Sequence, residues 1–201
     1  MRLVALTMRV PLSGSSPVFR LRSKRGKLLL ETSNRSLCPA RYTLEVDQRP
    51  TENREDVLVY TTSVFQKDTE VTGPVTLELY VSTSAVDTDF TGKLIDVWPN
   101  GNAENLLDGI LRARYRKSME KAEFMNPGEV YMLTINLWST SNVFLAGHKL
   151  RLEISSSNFP RFDRNLNTGE DPESGRRMIK ATNLIYHDRD HASALVLPIV
   201  P

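Results

Sequence analysis

The sequence predicts an all-β fold, a jelly-roll β-sandwich of two antiparallel sheets with few short helices. Three observations predict it. From Asp56 onward the chain is cut into short segments of alternating apolar and polar residues, the period of strands with one solvated face. The breaks hold turn residues: Gly73-Pro74, Pro99-Asn100-Gly101, Asn126-Pro127-Gly128 and Asn167-Thr168-Gly169. No long stretch carries an apolar stripe at the 3.6-residue helical period. About seven or eight strands with Greek-key-like spacing bury their apolar faces by packing as two sheets.

Taken in order, residues 1–45 read as an N-terminal arm and 46–201 as the sandwich domain. In the arm, PVFRLRSKRGKLLLET reads as a hairpin turning at Lys24-Arg25-Gly26, and SNRSLCPARY, without periodicity, as a connector. In VTLELYVS, Val75, Leu77, Leu79 and Val81 share one face, opposite Thr76, Glu78 and Tyr80. HKLRLEIS places Leu150, Leu152 and Ile154 inward and Lys149, Arg151 and Glu153 outward. EVYMLTINLW and ALVLPIV are more apolar but keep the β-branched bias. A short helical turn is expected near Glu173 to Met178, and the sequence shows no internal repeat.

Composition narrows the function classes. A chain of 201 residues buries roughly 70% of its unfolded surface, so it needs neither disulfide nor metal to fold. A net charge of +2 gives no footprint for nucleic acid or an anionic membrane. Cys38 is the single cysteine, which rules out an internal disulfide and points to a reducing compartment. The apolar run Leu3 to Met8, broken by Arg9, is too short for a signal-peptide core, and no segment has the length of a membrane span. The expectation is a soluble, cytoplasmic protein.

Candidate chemistry is sparse. A serine hydrolase needs an exposed nucleophile, and no G-x-S-x-G elbow is present; Gly14-Ser15 in PLSGSSP lacks the second glycine and a following helix. His148 opens a strand after a turn, and His187 and His191 frame YHDRDH. On a helix, His187 and His191 would share a face suited to zinc, with Asp188 and Asp190 beside them. The flanking segments are strand-like, which favours a polar turn.

Asp163, Asn165 and Asn167 have the D-x-N-x-N spacing of a calcium loop. The glycine comes one residue late, at Gly169, and the closing position is Ser174 in place of glutamate. An ordered turn pinned by Phe159 and Phe162 is the stronger reading. Arg112, Arg114 and Arg116 in GILRARYR line one strand face and want carboxylates, with Asp87, Asp89, Asp96 and Asp108 as candidates. Trp98, beside the Pro99-Asn100-Gly101 turn, is the better candidate for a ligand platform, because Trp138 lies in an apolar strand run. No catalytic residue, resident metal or cofactor is assigned.

Several segments together carry a resemblance. DQRPTENREDVLVYTTSVF, EVTGPVTLELYVSTSAVDTDFTGKLIDVWPNG, LLDGILRARYRKS, PGEVYMLTINLWSTSNVFLAGHKLRLEISSSNFPRFDRNLNTG and HASALVLPIVP resemble the C-terminal domain of serine hydrolases related to cocaine esterase, X-Pro dipeptidyl-peptidase and α-amino-acid ester hydrolase. The resemblance runs from Val46 to Pro201. It implies a jelly-roll sandwich of galactose-binding-like type, in agreement with the strand pattern.

It also implies that the catalytic triad belongs to a separate α/β-hydrolase domain whose nucleophile sits in G-x-S-Y-x-G, a stretch this sequence lacks. His148 matches the structural G-H-[RK] strand start of that family. A DP-x-x-P-x-P-x-x-GG stretch expected before DQRP is missing, and only SNRSLCPARYTLEV stands there. The implied role is a non-catalytic accessory domain that packs on an α/β-hydrolase domain and shapes its pocket or assembly, here with a shortened docking arm. A free-standing module binding carbohydrate or calcium is the alternative. A face uncovered in such a domain would favour a homo-oligomer.

Overall fold

The computed structural model describes residues 3–9, 18–21 and 27–31 as strands and residues 47–201 throughout. In chain order the strands are β1 (Leu3–Arg9), β2 (Val18–Leu21), β3 (Lys27–Glu31), β4 (Leu58–Thr61), β5 (Thr69–Thr83), β6 (Asp89–Val97), β7 (Ala103–Arg112), β8 (Tyr131–Phe144), β9 (Lys149–Ser155), β10 (Thr182–Tyr186) and β11 (Ala194–Val196). A four-residue helix, α1 (Arg49–Glu52), precedes β4, with Pro50 in its first turn where a missing N–H costs nothing. A single 3₁₀ turn, Ala113–Tyr115, follows β7.

The strands form two layers. The first sheet has the order β4-β9-β6-β7, with β1 alongside β4 in the only parallel pairing among the described strands. In the second, β5 is central, with β8 along one edge and β10 and β11 in succession along the other. The apolar alternation read from the sequence is what packs between them. Val75, Leu77, Leu79 and Val81 of β5 meet Leu94 of β6, Leu133, Ile135 and Leu137 of β8, and Leu150, Leu152 and Ile154 of β9, all buried. Each such side chain contributes roughly 1.5–3 kcal/mol.

The two sheets approach closely at a glycine pair. Gly92 and Gly109 face each other across β6 and β7. A Cβ on Gly92 would meet Leu77 at 2.5 Å, and one on Gly109 would run into the carbonyl of Asn136. Two bare positions side by side open the notch that Leu77 and Leu137 fill.

Four expectations need correction. Strands β2 and β3 do not pair with each other. β2 pairs with β1 and β11, and β3 pairs with β10. Registers put the two end to end along the β11–β10 edge, both running with β5. An interrupted strand and a hairpin share the same alternation, so periodicity alone did not separate them; the Lys24-Arg25-Gly26 turn lies outside the described residues.

Gly73-Pro74 does not end a strand. It lies inside β5 just before a bulge, where Leu137 and Trp138 of β8 together oppose Val75. That bulge also corrects the reading of Trp138 as core. Leu137 turns inward, while Trp138, at φ 70°, turns outward and is 64% exposed. Finally, the short helical turn expected near Glu173 to Met178 is shifted toward the N-terminus: one turn, closed by the Gly175 N–H to the Asp171 carbonyl at 2.7 Å, spans 171–175, and residues 176–178 are irregular.

The other turns are as read. Pro99-Asn100-Gly101 joins β6 to β7, with Gly101 at φ 86° and the Asn100 side chain accepting from the Asn102 N–H. Among the described residues no helix is long and apolar enough to cross a membrane.

Candidate functional site

The loops at one end of the sandwich gather the densest chemistry. Asp87 and Asp89 stand at the entry to β6 and are fully buried. Two buried carboxylates a strand step apart must be compensated, and three side chains do so. The Arg112 guanidinium donates to Asp89 from Nε at 3.0 Å and Nη2 at 3.2 Å. Arg114 donates to Asp87 from Nε at 2.7 Å and from its backbone N–H at 2.9 Å. Between them, the Asn165 amide donates to both carboxylates, at 2.8 and 2.7 Å. Burial pushes the Asp89 carboxyl up from its ordinary value, against Arg112 and Asn165, which pull it down. For Arg112, burial works against the charge, but Asp89 and Asp163 outweigh it and hold the guanidinium above its ordinary value.

The run GILRARYR therefore meets carboxylates, as the ion-pair reading expects, but not on one strand face. β7 ends at Arg112, and the 3₁₀ turn redirects the chain. Arg116 binds the carbonyls of Ala113 and Glu123 and the Glu123 carboxylate, and lies 4.6 Å over the Tyr131 ring. Of the other candidate partners, Asp108 takes Arg161 and Asn158, and Asp96 takes His148.

Asp163, Asn165 and Asn167, spaced like calcium ligands, turn to three different partners. Asp163 is exposed and lies 3.4 Å from Arg112. Asn165 is spent on Asp87 and Asp89, and its carbonyl oxygen accepts from the Asn167 N–H. Asn167, at φ 62°, donates to the Ile179 carbonyl. The loop is pinned by these buried amides and not by the phenylalanines. Phe159 is 41% exposed under Arg164, and Phe162 lies under Arg161. Phe124, half exposed under Arg114, packs with Val86 against Gly169. The result is an arginine–aromatic surface on a rigid ionic base.

The histidines serve separate places. His148 Nδ1 lies 2.9 Å from the Asp96 carboxylate, and Trp98, 40% exposed, tilts over that imidazole at 5.7 Å. His187, Asp188, Asp190 and His191 lie in the turn from β10 to β11 and not on a helix. Asp188 caps that turn through the N–H groups of Asp190 and His191. His187 is buried, and burial lowers its basicity. Ser193 mends the ladder where β5 passes from β11 to β10, accepting from the Tyr80 N–H and donating to the Tyr186 carbonyl. Among the described residues no imidazole hydrogen-bonds a serine hydroxyl.

Sequence reasoning missed a second polar cluster, on the outer face of the first sheet. Arg151 and Glu153, expected in solvent, are buried beneath α1. Arg151 pairs with Glu52 at 2.5 Å and donates to Thr61, and Lys93 donates to Gln48 at 2.8 Å. Three charged residues alternating with apolar ones, Lys149, Arg151 and Glu153, look the same whether the outer face meets water or a covering segment. The one available signal was Pro50-Thr51-Glu52 shortly before β4, a helix start.

A family profile settles the lineage. Residues 11–196 match the X-Pro dipeptidyl-peptidase C-terminal non-catalytic domain. The chain belongs to this family. This X-Pro dipeptidyl-peptidase C-terminal domain is similar to the cocaine esterase of Rhodococcus sp. (strain MB1 Bresler), at 49% identity over 156 residues, 77% of this chain and 27% of the relative. Among solved structures it superposes on an aminopeptidase from the marine sediment archaeon Thaumarchaeota archaeon with a TM-score of 0.78, at 30% identity over 89% of this chain and 34% of the other. An α-amino acid ester hydrolase gives a TM-score of 0.75 at 28% identity, over 78% of this chain and 28% of the other. The chain thus spans between 27% and 34% of the length of these proteins.

Proposed function

We propose that this non-catalytic domain works as the accessory part of a serine hydrolase, packed on an α/β-hydrolase domain whose pocket or assembly it shapes. The observation that carries the reading is the family match, in proteins of which this chain spans about a quarter to a third. In this reading residues 1–45 are the arm whose strands β1, β2 and β3 add to both sheets, and the sandwich is a jelly roll. The arginine–aromatic loop end is the surface best suited to the partner, because exposed aromatics on a rigid base lose little entropy on docking. The single cysteine supports a cytoplasmic setting, and uncovered apolar side chains such as Met132 and Trp138 favour a homo-oligomer.

The test is a chimera in which residues 47–201 replace the matching stretch of the Rhodococcus esterase, assayed on p-nitrophenyl acetate. The isolated chain is expected to give no turnover, and the chimera to turn over as one rigid particle in small-angle scattering. Turnover by the isolated chain that a serine-directed phosphonate removes, or a folded chimera whose two parts scatter as independent bodies, would overturn the proposal.

A second reading, a ligand platform at Trp98, is favoured by that ring's exposure beside His148. Tryptophan fluorescence titrated with a glycan panel, then with calcium and EDTA, tests it together with the Asp163, Asn165 and Asn167 loop; a flat response removes both.

A further inference from the structure

The inward side of β10 mixes polar residues into the core. Asn183 and Ile185 are buried along it, and His187, one step past the end of the strand, keeps the same parity. The Asn183 amide donates to Thr88 and Ser156. His187 has no such company. It is 7% exposed, both of its ring nitrogens are sealed from water, and neither has a hydrogen-bonding partner among the described residues. Its ring meets Tyr60 of β4 edge-on, with centroids 6.1 Å apart and planes at 79°. The Tyr60 hydroxyl is buried as well and is equally unpartnered.

Such a place tolerates only the neutral imidazole. The cation would add a buried charge and turn both nitrogens into unanswered donors. No carboxylate shares that space with it. Burial pushes the Tyr60 hydroxyl up, so it faces the ring uncharged. The rest of β4, the inward residues of β5 and β9, and all of β11 carry no charge, and β1 sets Leu3, Val4 and Ala5 in register beside β4. The nearest charged residues of β2 and β3, Arg20 and Lys27, are cations in register with Ala194 and Tyr186, on the alternate parity.

That leaves the turn itself. Asp188 beside the ring favours its charge, but that carboxylate is 40% exposed and is taken up by the N–H groups of Asp190 and His191 and by the His191 imidazole. Arg189 and Asp190 are exposed. The turn is closed by an isolated bridge from His187 to Ala192. It also joins the two strands on which the arm sits, since β3 lies on β10 and β2 on β11.

We propose that the turn from β10 to β11 is an acid-released latch, shut while His187 is held neutral between the sheets and opened when that ring takes a proton. In the open turn His187 meets water and has its ordinary value of 6.5; in the closed turn burial holds it lower, against the smaller pull of Asp188. Below about pH 6.5 the open form therefore binds a proton that the closed form lacks, and opening becomes up to about tenfold easier for each pH unit of acidification. Above that value both forms are neutral and the dependence ends.

Hydrogen exchange of the 186–193 peptide in the full chain, corrected for the intrinsic rate, tests this. Protection should be level from about pH 8 to 6.5 and then fall by up to about tenfold per unit towards pH 5. In His187→Phe, which keeps a ring against Tyr60 but cannot take the proton, it should be level throughout. In His191→Gln, which removes the other imidazole of the turn, the fall should remain. A flat wild-type profile, a fall that survives in His187→Phe, or one that is lost in His191→Gln overturns the proposal. So does a turn as well protected as β5 and β8, because it would open only with the whole domain. Proton NMR titration of the His187 ring in the wild-type chain depends on neither variant: the midpoint should lie below the ordinary histidine value, and one at or above it sinks the latch.

Discussion

The sandwich carries two buried polar clusters, and they are built on opposite principles. At the loop end, every carboxylate has its own cation: Asp87 has Arg114, Asp89 has Arg112, and Asn165 ties the two pairs together. On the outer face of the first sheet, two acids share the attention of Arg151, while the adjacent Lys93 donates to Gln48, and each acid keeps an unpartnered oxygen. The first arrangement is satisfied at any pH at which its acids are ionised, so it can serve as a rigid base for the exposed aromatic loops. In the second, burial pushes the Glu153 carboxyl up to about 7, against Lys93 and Arg151, which pull it down. Burial is similar in both. What separates them is whether charge is balanced pair by pair, and that decides whether a buried network fixes a structure or makes it responsive.

The sharpest way to break the contrast is to remove one member of the satisfied cluster. Asp87→Ala strands the Arg114 guanidinium, which is 10% exposed, and deletes the acceptor for its backbone N–H. Removing one partner of a buried pair costs about 3–5 kcal/mol, and urea unfolding at pH 7 should show a loss of that size. A loss under 1 kcal/mol would mean that water enters this end and the base is not rigid.

The opposite sign is expected on the outer face. Glu153 has a folded value of about 7 against 4.5 unfolded, so the native chain binds the extra proton. Its contribution is fully present below pH 4.5, declines as pH rises through the window, and is gone above 7. Glu153→Gln should therefore be more stable than the wild type at pH 8, by roughly 2 kcal/mol, and about equal to it at pH 4.5. Unfolding curves at the two pH values check the sign. A variant less stable at pH 8 would show that the ionised acid is a net gain through Lys93.

Asn165 sharpens the comparison at the level of one amide. Asn165→Ala leaves both carboxylates their arginines but removes their shared donor, at a cost of about 1–3 kcal/mol. The Asn167 N–H loses its acceptor too, so hydrogen exchange should rise across residues 165–169 with β6 unaffected. Asn165→Asp should cost more than the alanine variant, because it adds a third negative charge between Asp87 and Asp89. If the two variants are equal, the amide acts only by filling space.

How much of this was legible follows from what each pattern encodes. Alternation placed Val75, Leu77, Leu79 and Val81, and Leu150, Leu152 and Ile154, on inner faces, because inward burial leaves a period-two mark wherever the other face is polar. The same pattern is silent about what covers that other face, so Arg151 and Glu153 read as solvated when α1 lies over them. It is also silent about continuity. β2 and β3 alternate as a hairpin would, and only the shared β11–β10 edge makes them one interrupted strand. Trp138 went astray for a third reason: one extra residue at a bulge reverses inside and outside for its own position, and a bulge opposite Val75 has no signature in composition. The arginine partners Asp87 and Asp89 were readable because opposite charges of adjacent strands in a hairpin end up close, as β6 and β7 do here.

The smallest effect expected is at the surface that the ionic base supports. Arg164 lies 5.3 Å over Phe159, and both are exposed, so Arg164→Ala should change the stability of the isolated domain by less than about 1 kcal/mol. In the Rhodococcus chimera the same substitution meets a partner. If the loop end is the docking surface, loss of a stacked cation from an interface should lower the temperature at which the two parts separate, while the isolated domain is unmoved. Equal, small shifts in both settings would place the docking surface elsewhere on the sandwich, and the half-exposed residues of β8, Met132 and Trp138, would be the next to substitute. The order of these outcomes carries the argument: a rigid base matters to the domain alone, and the aromatics above it matter only when something is bound.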